Sequence, residues 1–483
     1  MNTVPNLYSL LMVINLFLAV TIIFLERRNA SATWAWLMVL FFLPALGFLL
    51  YLMLGQSLSK RRYRKLVMET EKVLDSLIED QRARMQSGDI RFADPAMAEY
   101  RDMIYLNMAS DQALYTQNNR IEVFTDGISK FDALFADIEA AKDHIHLMYY
   151  IVRDDRLGRK LIETLTRKAR EGVKVRFLYD DIGSIRLQRK FFRSFQEAGG
   201  EAVAFFPSRI PFFNFKLNFR NHRKLAIIDG KWGYIGGFNV GDEYLGMDER
   251  FGEWRDTHLK VTGSAVQMIQ TLFLADWNLA SGQNIAFEAR YFPPPPEQER
   301  GTVGMQIVSS GPDSEWQQIK DSYIKMIYAA KKRVCLQTPY FVPDEALLTA
   351  LRTAAMSGVE VEVMIPSKRD HFFVYWASRS YVGDLLASGA RCFLYDQGFL
   401  HAKMIVVDGK IASVGTANID IRSFKLNFEV NAFIYDSETA SRLERIFNSD
   451  KRGCREWTAQ EYLQRPLLSR LKESVSRLLS PIL

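Results

Sequence analysis

The first sixty residues carry a pattern that the rest of the chain does not repeat. Two long uncharged stretches, Leu7–Leu25 and Ala32–Leu54, are parted only by the short loop Glu26–Ser31. Each reaches the ~20 apolar residues a helix needs to cross ~30 Å of hydrocarbon. Each is apolar on every side, whereas a helix lying on a soluble body keeps a polar face. The pattern predicts a transmembrane helical hairpin. A cleaved signal peptide fits less well, because Met1–Asn6 has no basic start and a second span follows. The loop holds Arg27 and Arg28, but the exit of the second span holds Lys60, Arg61, Arg62, Arg64 and Lys65. Basic residues favour the cytoplasmic side, so a multi-pass protein of the cell membrane is expected, its large body in the cytoplasm.

Beyond a polar connector, expected to be helical, the pattern becomes alternating strands and helices. Ile145–Tyr150 and Val173–Tyr179 are apolar runs rich in β-branched and aromatic residues, and Leu157–Glu171 between them has helical periodicity. This order argues for an α/β fold with an interior sheet. It then recurs. Ala141-Lys142 before His146–Tyr150 returns as Ala330-Lys331 before Leu336–Tyr340, Gly172–Val175 as Gly358–Val361, and Ala198-Gly199 as Ser388-Gly389. Four prolines, Pro293–Pro296, form a stiff linker between the copies. The expected organisation is a hairpin over 1–55, a connector over 56–115, a first lobe over 116–292, a linker over 293–302, a second lobe over 303–466 and an amphipathic segment over 467–483. The repeat predicts that the lobes pack about a pseudo-twofold axis.

Composition narrows the partners only a little. With 48% hydrophobic and 24% charged residues the chain is globular rather than disordered. A net charge of +6 suits a phosphate-bearing partner without choosing between lipid and nucleic acid. Cys335, Cys392 and Cys454 are scattered, with neither a zinc spacing nor a disulfide framework, which fits a reducing compartment. Histidine is scarce, six in all, so its positions carry information.

Two histidines open copies of one motif. Asn221-His222-Arg223-Lys224-Leu225-Ala226-Ile227-Ile228-Asp229-Gly230 is matched by Leu400-His401-Ala402-Lys403-Met404-Ile405-Val406-Val407-Asp408-Gly409. Seven residues after each Asp come Gly236-Gly237-Phe238-Asn239 and Gly415-Thr416-Ala417-Asn418. His and Lys two apart on a strand share a face, so each lobe offers an imidazole beside an ammonium, with the intervening apolar residues turned to the core. Asp-Gly closes a tight hairpin that returns toward the Asn. Two such lobes face to face surround one anionic pocket with two imidazoles, which is what phosphodiester transfer needs. One imidazole attacks phosphorus to give a phosphohistidine, and the other protonates the departing alkoxide and later deprotonates the incoming hydroxyl. Lys224, Lys403, Asn239 and Asn418 hold the non-bridging oxygens. The chemistry requires no metal, and no carboxylate cluster demands one.

Other positions admit two readings. Asp229 and Asp408 belong to the candidate catalytic set, yet an Asp-Gly hairpin explains them equally well. Asn239 and Asn418 bind phosphate or cap a strand end. Asp256 and Glu429, on a later strand of each half, are candidates to accept a hydrogen bond from the catalytic imidazoles and fix their tautomer. His144, His146, His258 and His371 match no motif and are read as structural. The aromatic and basic run Phe205–Lys216 either dips into a membrane interface or packs in the core, and the amphipathic end Leu467–Leu479 either lies on the membrane or packs on the body.

The paired motif resembles the phospholipase D superfamily. With the two spans and the stretch from Glu26-Arg27-Arg28-Asn29 to Thr33-Trp34-Ala35-Trp36, nearly the whole chain is similar to the bacterial cardiolipin synthase family. The resemblance implies two phospholipase D-like lobes and the joining of two phosphatidylglycerols into cardiolipin with release of glycerol. It implies a phosphatidyl-histidine intermediate, no cofactor, and a catalytic set of His222, Lys224, Asp229, His401, Lys403 and Asp408. Its partners are then phosphatidylglycerol, cardiolipin and the bilayer. With water as acceptor the same site is a phospholipase D. A membrane-tethered nuclease is the third reading, but the chain has no extended basic stripe and nucleic acid is not an expected partner. A non-catalytic lipid scaffold has no need of both imidazoles.

Overall fold

The computed structural model describes residues 3–24, 30–43, 46–47, 51, 76–207, 218–295 and 297–482. The arginines of the N-terminal loop, the basic cluster at 60–65 and most of the aromatic run before the first motif lie outside these. Helices cover Thr3–Phe24 and Ala30–Phe42 and pack on each other. Among the described residues no helix is long and apolar enough to cross a membrane.

Among the described residues the body is one mixed sheet of sixteen strands with helices on both faces, and two small two-stranded sheets beside it. The first half supplies β1 (Thr116–Phe124), β2 (His144–Tyr149), β3 (Lys174–Asp180), β4 (Glu201–Phe205), β5 (Arg220–Asn221), β6 (Leu225–Ile228), β7 (Trp232–Gly236), β8 (Glu253–Arg255) and β9 (His258–Thr262). The second half supplies β10 (Val303–Ser310), β11 (Arg333–Gln337), β12 (Phe341–Val342), β13 (Glu360–Pro366), β14 (Arg391–Tyr395), β15 (Gly398–Leu400), β16 (Met404–Val407), β17 (Ile411–Gly415), β18 (Ile419–Asp420), β19 (Asn427–Tyr435) and β20 (Cys454–Trp457). β1 and β10 pair antiparallel at the centre. Outward from β1 run β9, β7, β6, β2, β3 and β4; outward from β10 run β19, β17, β16, β11, β13 and β14, closed by β20. The parallel pairs β2–β3 and β11–β13 are the apolar runs read from the sequence, each joined by a crossover helix, Arg156–Arg170 and Glu345–Met356.

Three buried clusters follow from strand alternation. Ala226 and Ile228 of β6 enter a core on one face of the first half, and Ile405 and Val407 of β16 enter its counterpart in the second. Leu225, Ile227, Met404 and Val406 point the other way, into a core shared by both halves around the helix Ala265–Ser281. Both faces are therefore dry, which is why these strands read as continuous apolar runs.

The expected connector is, over its described part, built into the body. Met97, Tyr100, Ile104 and Met108 recur every three or four residues and, with Met103, are buried against the second half, while Asn107 Nδ2 donates to Gln306 and Tyr435. Its polar composition hid that stripe.

Candidate active site

Both His-x-Lys triplets sit just before a strand rather than on it. β5 ends at Asn221 and β6 begins at Leu225; β15 ends at Leu400 and β16 begins at Met404. The reason is a backbone exchange between halves. β5 runs parallel to Asn427–Phe428 of β19, and the N–H of His222 donates to the Phe428 carbonyl at 2.9 Å. Reciprocally β15 runs parallel to β8, and the N–H of His401 donates to the Arg255 carbonyl at 2.7 Å. Each triplet thus leaves its own sheet to latch onto the other half. The expectation of a strand-borne pair is corrected in that detail, while His and Lys still share a side.

The latches bring each histidine to the other half's carboxylate. Nδ1 of His222 lies 2.9 Å from Glu429 Oε2, and Nδ1 of His401 lies 2.6 Å from Asp256 Oδ2. A carboxylate can only accept, so Nδ1 carries the hydrogen and Nε2 of each ring keeps its lone pair. The residue just after the first histidine reinforces the exchange, since Arg223 Nε donates to the Glu429 carbonyl at 3.1 Å. Gly237 leaves room for Asp256, because a Cβ there would lie 2.0 Å from its Oδ1. Thr416 at the matching place in the second copy instead exchanges hydrogen bonds with the backbone of Val430, beside the longer Glu429.

The lysines are fully buried. Lys224 Nζ donates to the His222 carbonyl at 2.5 Å, and Lys403 Nζ to the His401 carbonyl at 2.6 Å. Lys403 Nζ also lies 3.0 Å from Nε2 of His401, the nitrogen with a free lone pair. Burial brings the imidazole of His222 down to about 4, Glu429 opposing and Lys224 assisting. His401 comes down to about 4 through burial and the adjacent Lys403, with Asp256 opposing. Burial also lowers Lys224 to about 7 and Lys403 to about 8, against the pull of Glu429 and Asp256 respectively. Burial alone raises Glu429, but His222 and Lys224 outweigh it and hold the carboxyl below its ordinary value. Each lysine feels the histidine of the other half, so the two sets form one electrostatic site. Two crowded cations and two neutral imidazoles make surroundings that favour an anion.

Asp229 and Asp408 stand apart from this. Both hold left-handed backbone, φ 51° and 55°, at the tips of the β6–β7 and β16–β17 hairpins. Asp229 accepts from the N–H groups of Lys142, Asp143 and His144 at 2.8–3.0 Å, and Asp408 from those of Lys331, Lys332 and Arg333 at 2.7–2.8 Å. A four-residue strand, roughly 13 Å, separates them from the lysines. Each carboxylate pins the start of β2 or β11, the hairpin reading of these residues, and no hydrogen bond joins either to His222 or His401. Asn239 accepts from the N–H of Ile151 at 3.0 Å and donates to the Tyr244 hydroxyl, whereas Asn418 Oδ1 is buried without a partner. The first is committed to the scaffold through its oxygen, and the second keeps capacity for a ligand or water.

Several groups at the site have no sequence signal. Tyr150 packs edge-on against His222 at 4.9 Å between centroids, and the Trp254 ring lies tilted against His401 at 5.1 Å. Arg223 pairs with Asp276 at 2.6 Å, both buried. Tyr150 recurs as Tyr340 in the repeated run, but Arg223 has Ala402 at its place in the second copy, so the duplication that exposed the motif could not reveal the Arg223–Asp276 pair. Among the histidines outside the motif, His146 stacks on Phe273 and contacts Gln270, and His371 is exposed. Among the described residues no group of three or more His, Cys, Asp or Glu is placed to hold a metal ion.

Comparison with known proteins follows the geometry. Residues 134–277 and 323–451 match the family model described as cardiolipin synthase, PLD-like domain, and residues 13–56 match that described as phospholipase D-nuclease N-terminal. The chain belongs to the cardiolipin synthase family of the phospholipase D superfamily. It is 54% identical over 478 residues to the major cardiolipin synthase of Bacillus subtilis, covering 99% of each chain. It is 53% identical to a cardiolipin synthase of Oceanobacillus iheyensis and to one of Listeria monocytogenes, covering 100% of each chain. The phosphatidylserine synthase of Haemophilus influenzae shares the fold, with a TM-score of 0.61 at 14% identity over 79% of this chain and 100% of that one.

Proposed function

We propose that the chain is a cardiolipin synthase, a phosphatidyltransferase that joins two phosphatidylglycerols and releases glycerol. The observation that carries this is the crossed pair of dyads, His222–Glu429 and His401–Asp256, each with the lysine of its own triplet beside the imidazole. In the first half-reaction Nε2 of one histidine attacks the phosphorus of phosphatidylglycerol, and the bond to the headgroup glycerol breaks. The other histidine gives that alkoxide its proton. In the second, the same histidine takes a proton from the headgroup hydroxyl of a second phosphatidylglycerol, whose oxygen displaces the phosphohistidine nitrogen. Lys224 and Lys403 serve the charged phosphate, and Asp256 and Glu429 hold each imidazole in one tautomer.

The same reading takes 116–292 and 303–466 as two lobes related by a pseudo-twofold axis, which the matching outward strand orders support. It takes 1–55 as a transmembrane hairpin holding the site at the cytoplasmic face of the cell membrane. The uncharged runs of the sequence and the match over 13–56 support that anchor. Phosphatidylglycerol labelled in its headgroup and presented in a metal chelator tests the chemistry. Cardiolipin and labelled glycerol in equal amounts are expected; phosphatidic acid with glycerol overturns transfer in favour of hydrolysis.

A further inference from the structure

The C-terminal helix Leu467–Leu478 is docked inside out. Its acid, Glu473, and Ser476 are the buried positions, at 2% and 1% exposure. Arg465 donates to Glu473 at 2.7 Å, and Arg477 pairs with Asp384 of the neighbouring helix Phe372–Leu386 at 2.7 Å. Polar contacts therefore fasten it to the body, while Leu467, Leu468, Leu471, Val475 and Leu478 are 47–80% exposed along one arc. Phe372 and Phe373, at the start of the supporting helix, are 43% and 45% exposed. An amphipathic helix on a water-facing body does the opposite, since its apolar stripe is what burial favours.

The supporting helix links this face to the site. The supporting helix packs on β12, which pairs with β18 directly after Asn418. Asp370, two residues before Phe372, hydrogen-bonds the Tyr340 hydroxyl and acts on the charge of Lys403. Cations border the apolar arc: Arg369 and Arg470 are exposed, and Lys472 lies 5.1 Å from the centre of the Trp376 ring. Leucines flanked by basic and aromatic residues complement an anionic lipid surface. One helix arc offers only a few hundred Å², short of the ~800 Å² per partner of a stable dimer. We propose that this helix, with Phe372 and Phe373, lies in the interface of an anionic bilayer as a second membrane contact, turning the mouth of the site toward lipid headgroups. The proposal rests on the reading of the chain as an enzyme of membrane phospholipid.

The test uses the full chain in phosphatidylglycerol–phosphatidylcholine vesicles, with Cys454→Ser and Ser474→Cys; Cys335 and Cys392 are buried. An environment-sensitive fluorophore at 474 is expected to shift blue and to be quenched by chain-brominated lipid, not by aqueous iodide. Quenching by iodide alone overturns the proposal, and so does energy transfer between labelled copies without lipid quenching, which assigns the face to a second copy. In parallel, Leu467→Glu with Leu471→Glu is expected to lower turnover on vesicles about tenfold and leave turnover in detergent micelles within about twofold. Equal turnover on vesicles, or an equal fall in both, overturns it. The fluorophore reports position without turnover, so cardiolipin formation with an iodide-quenched label sinks the docking alone.

Discussion

Two lysines define the energetics of the site. Their folded values, about 7 for Lys224 and about 8 for Lys403, lie below the ordinary 10.5. Stability from these groups is therefore complete above about pH 10.5 and declines as pH falls toward 7, because the unfolded chain binds protons that the fold resists. Lys224→Met is expected to stabilise the protein by about 1–2 kcal/mol at pH 7 while lowering kcat/KM at least about 100-fold. The gain should shrink by pH 9.5, and thermal unfolding at the two pH values checks it. The histidines behave in the same sense, being neutral in the fold down to about pH 4. An anionic substrate between the lysines is what lets one imidazole carry the proton it must donate. His222→Ala and His401→Ala should each abolish turnover by roughly 1,000-fold or more, and the double variant should lose no more than either, since the pair acts as a unit. Single-turnover assays on folded protein decide this.

At the scale of elements, the aspartates repeated in both copies of the motif belong to hairpins. A left-handed aspartate costs about 1–3 kcal/mol by itself, and three backbone donors offset that. Asp408→Ala should lower stability by about 2–3 kcal/mol while the folded fraction keeps most of its kcat, which separates a pinning role from a catalytic one. Gly237→Ala makes the opposite prediction. Its Cβ would meet the Asp256 carboxylate at 2.0 Å, so turnover should fall about 100-fold with a shifted pH profile and only a modest change in melting temperature. The hairpins, the Asp-Gly turns and the strand–helix order were all legible, because they are local consequences of period and turn chemistry. The connector was not, because its buried methionines are thinly spread among polar residues.

For the whole molecule, the exchange of β5 and β15 means neither half completes its own site. Each imidazole takes its carboxylate from the other half, across 207 and 145 residues of chain. Cleavage at a protease site placed within 297–301 should leave activity within about threefold, since the sheet pairing β1–β10 and both latches hold the halves together. Either half purified alone should be inactive, and activity on mixing would be read as reconstitution. The sequence alone determined the duplication, the paired imidazole and ammonium groups, the chemistry they imply and the apolar N-terminal runs, because each of these is written in spacing, periodicity or residue type. Only the tertiary structure decided which carboxylate serves which histidine, that the motif aspartates pin backbone rather than touch the site, and that the last helix turns its leucines outward. Those depend on contacts between residues far apart in the chain, and a linear pattern fixes which face a residue takes within its element but not which element it meets.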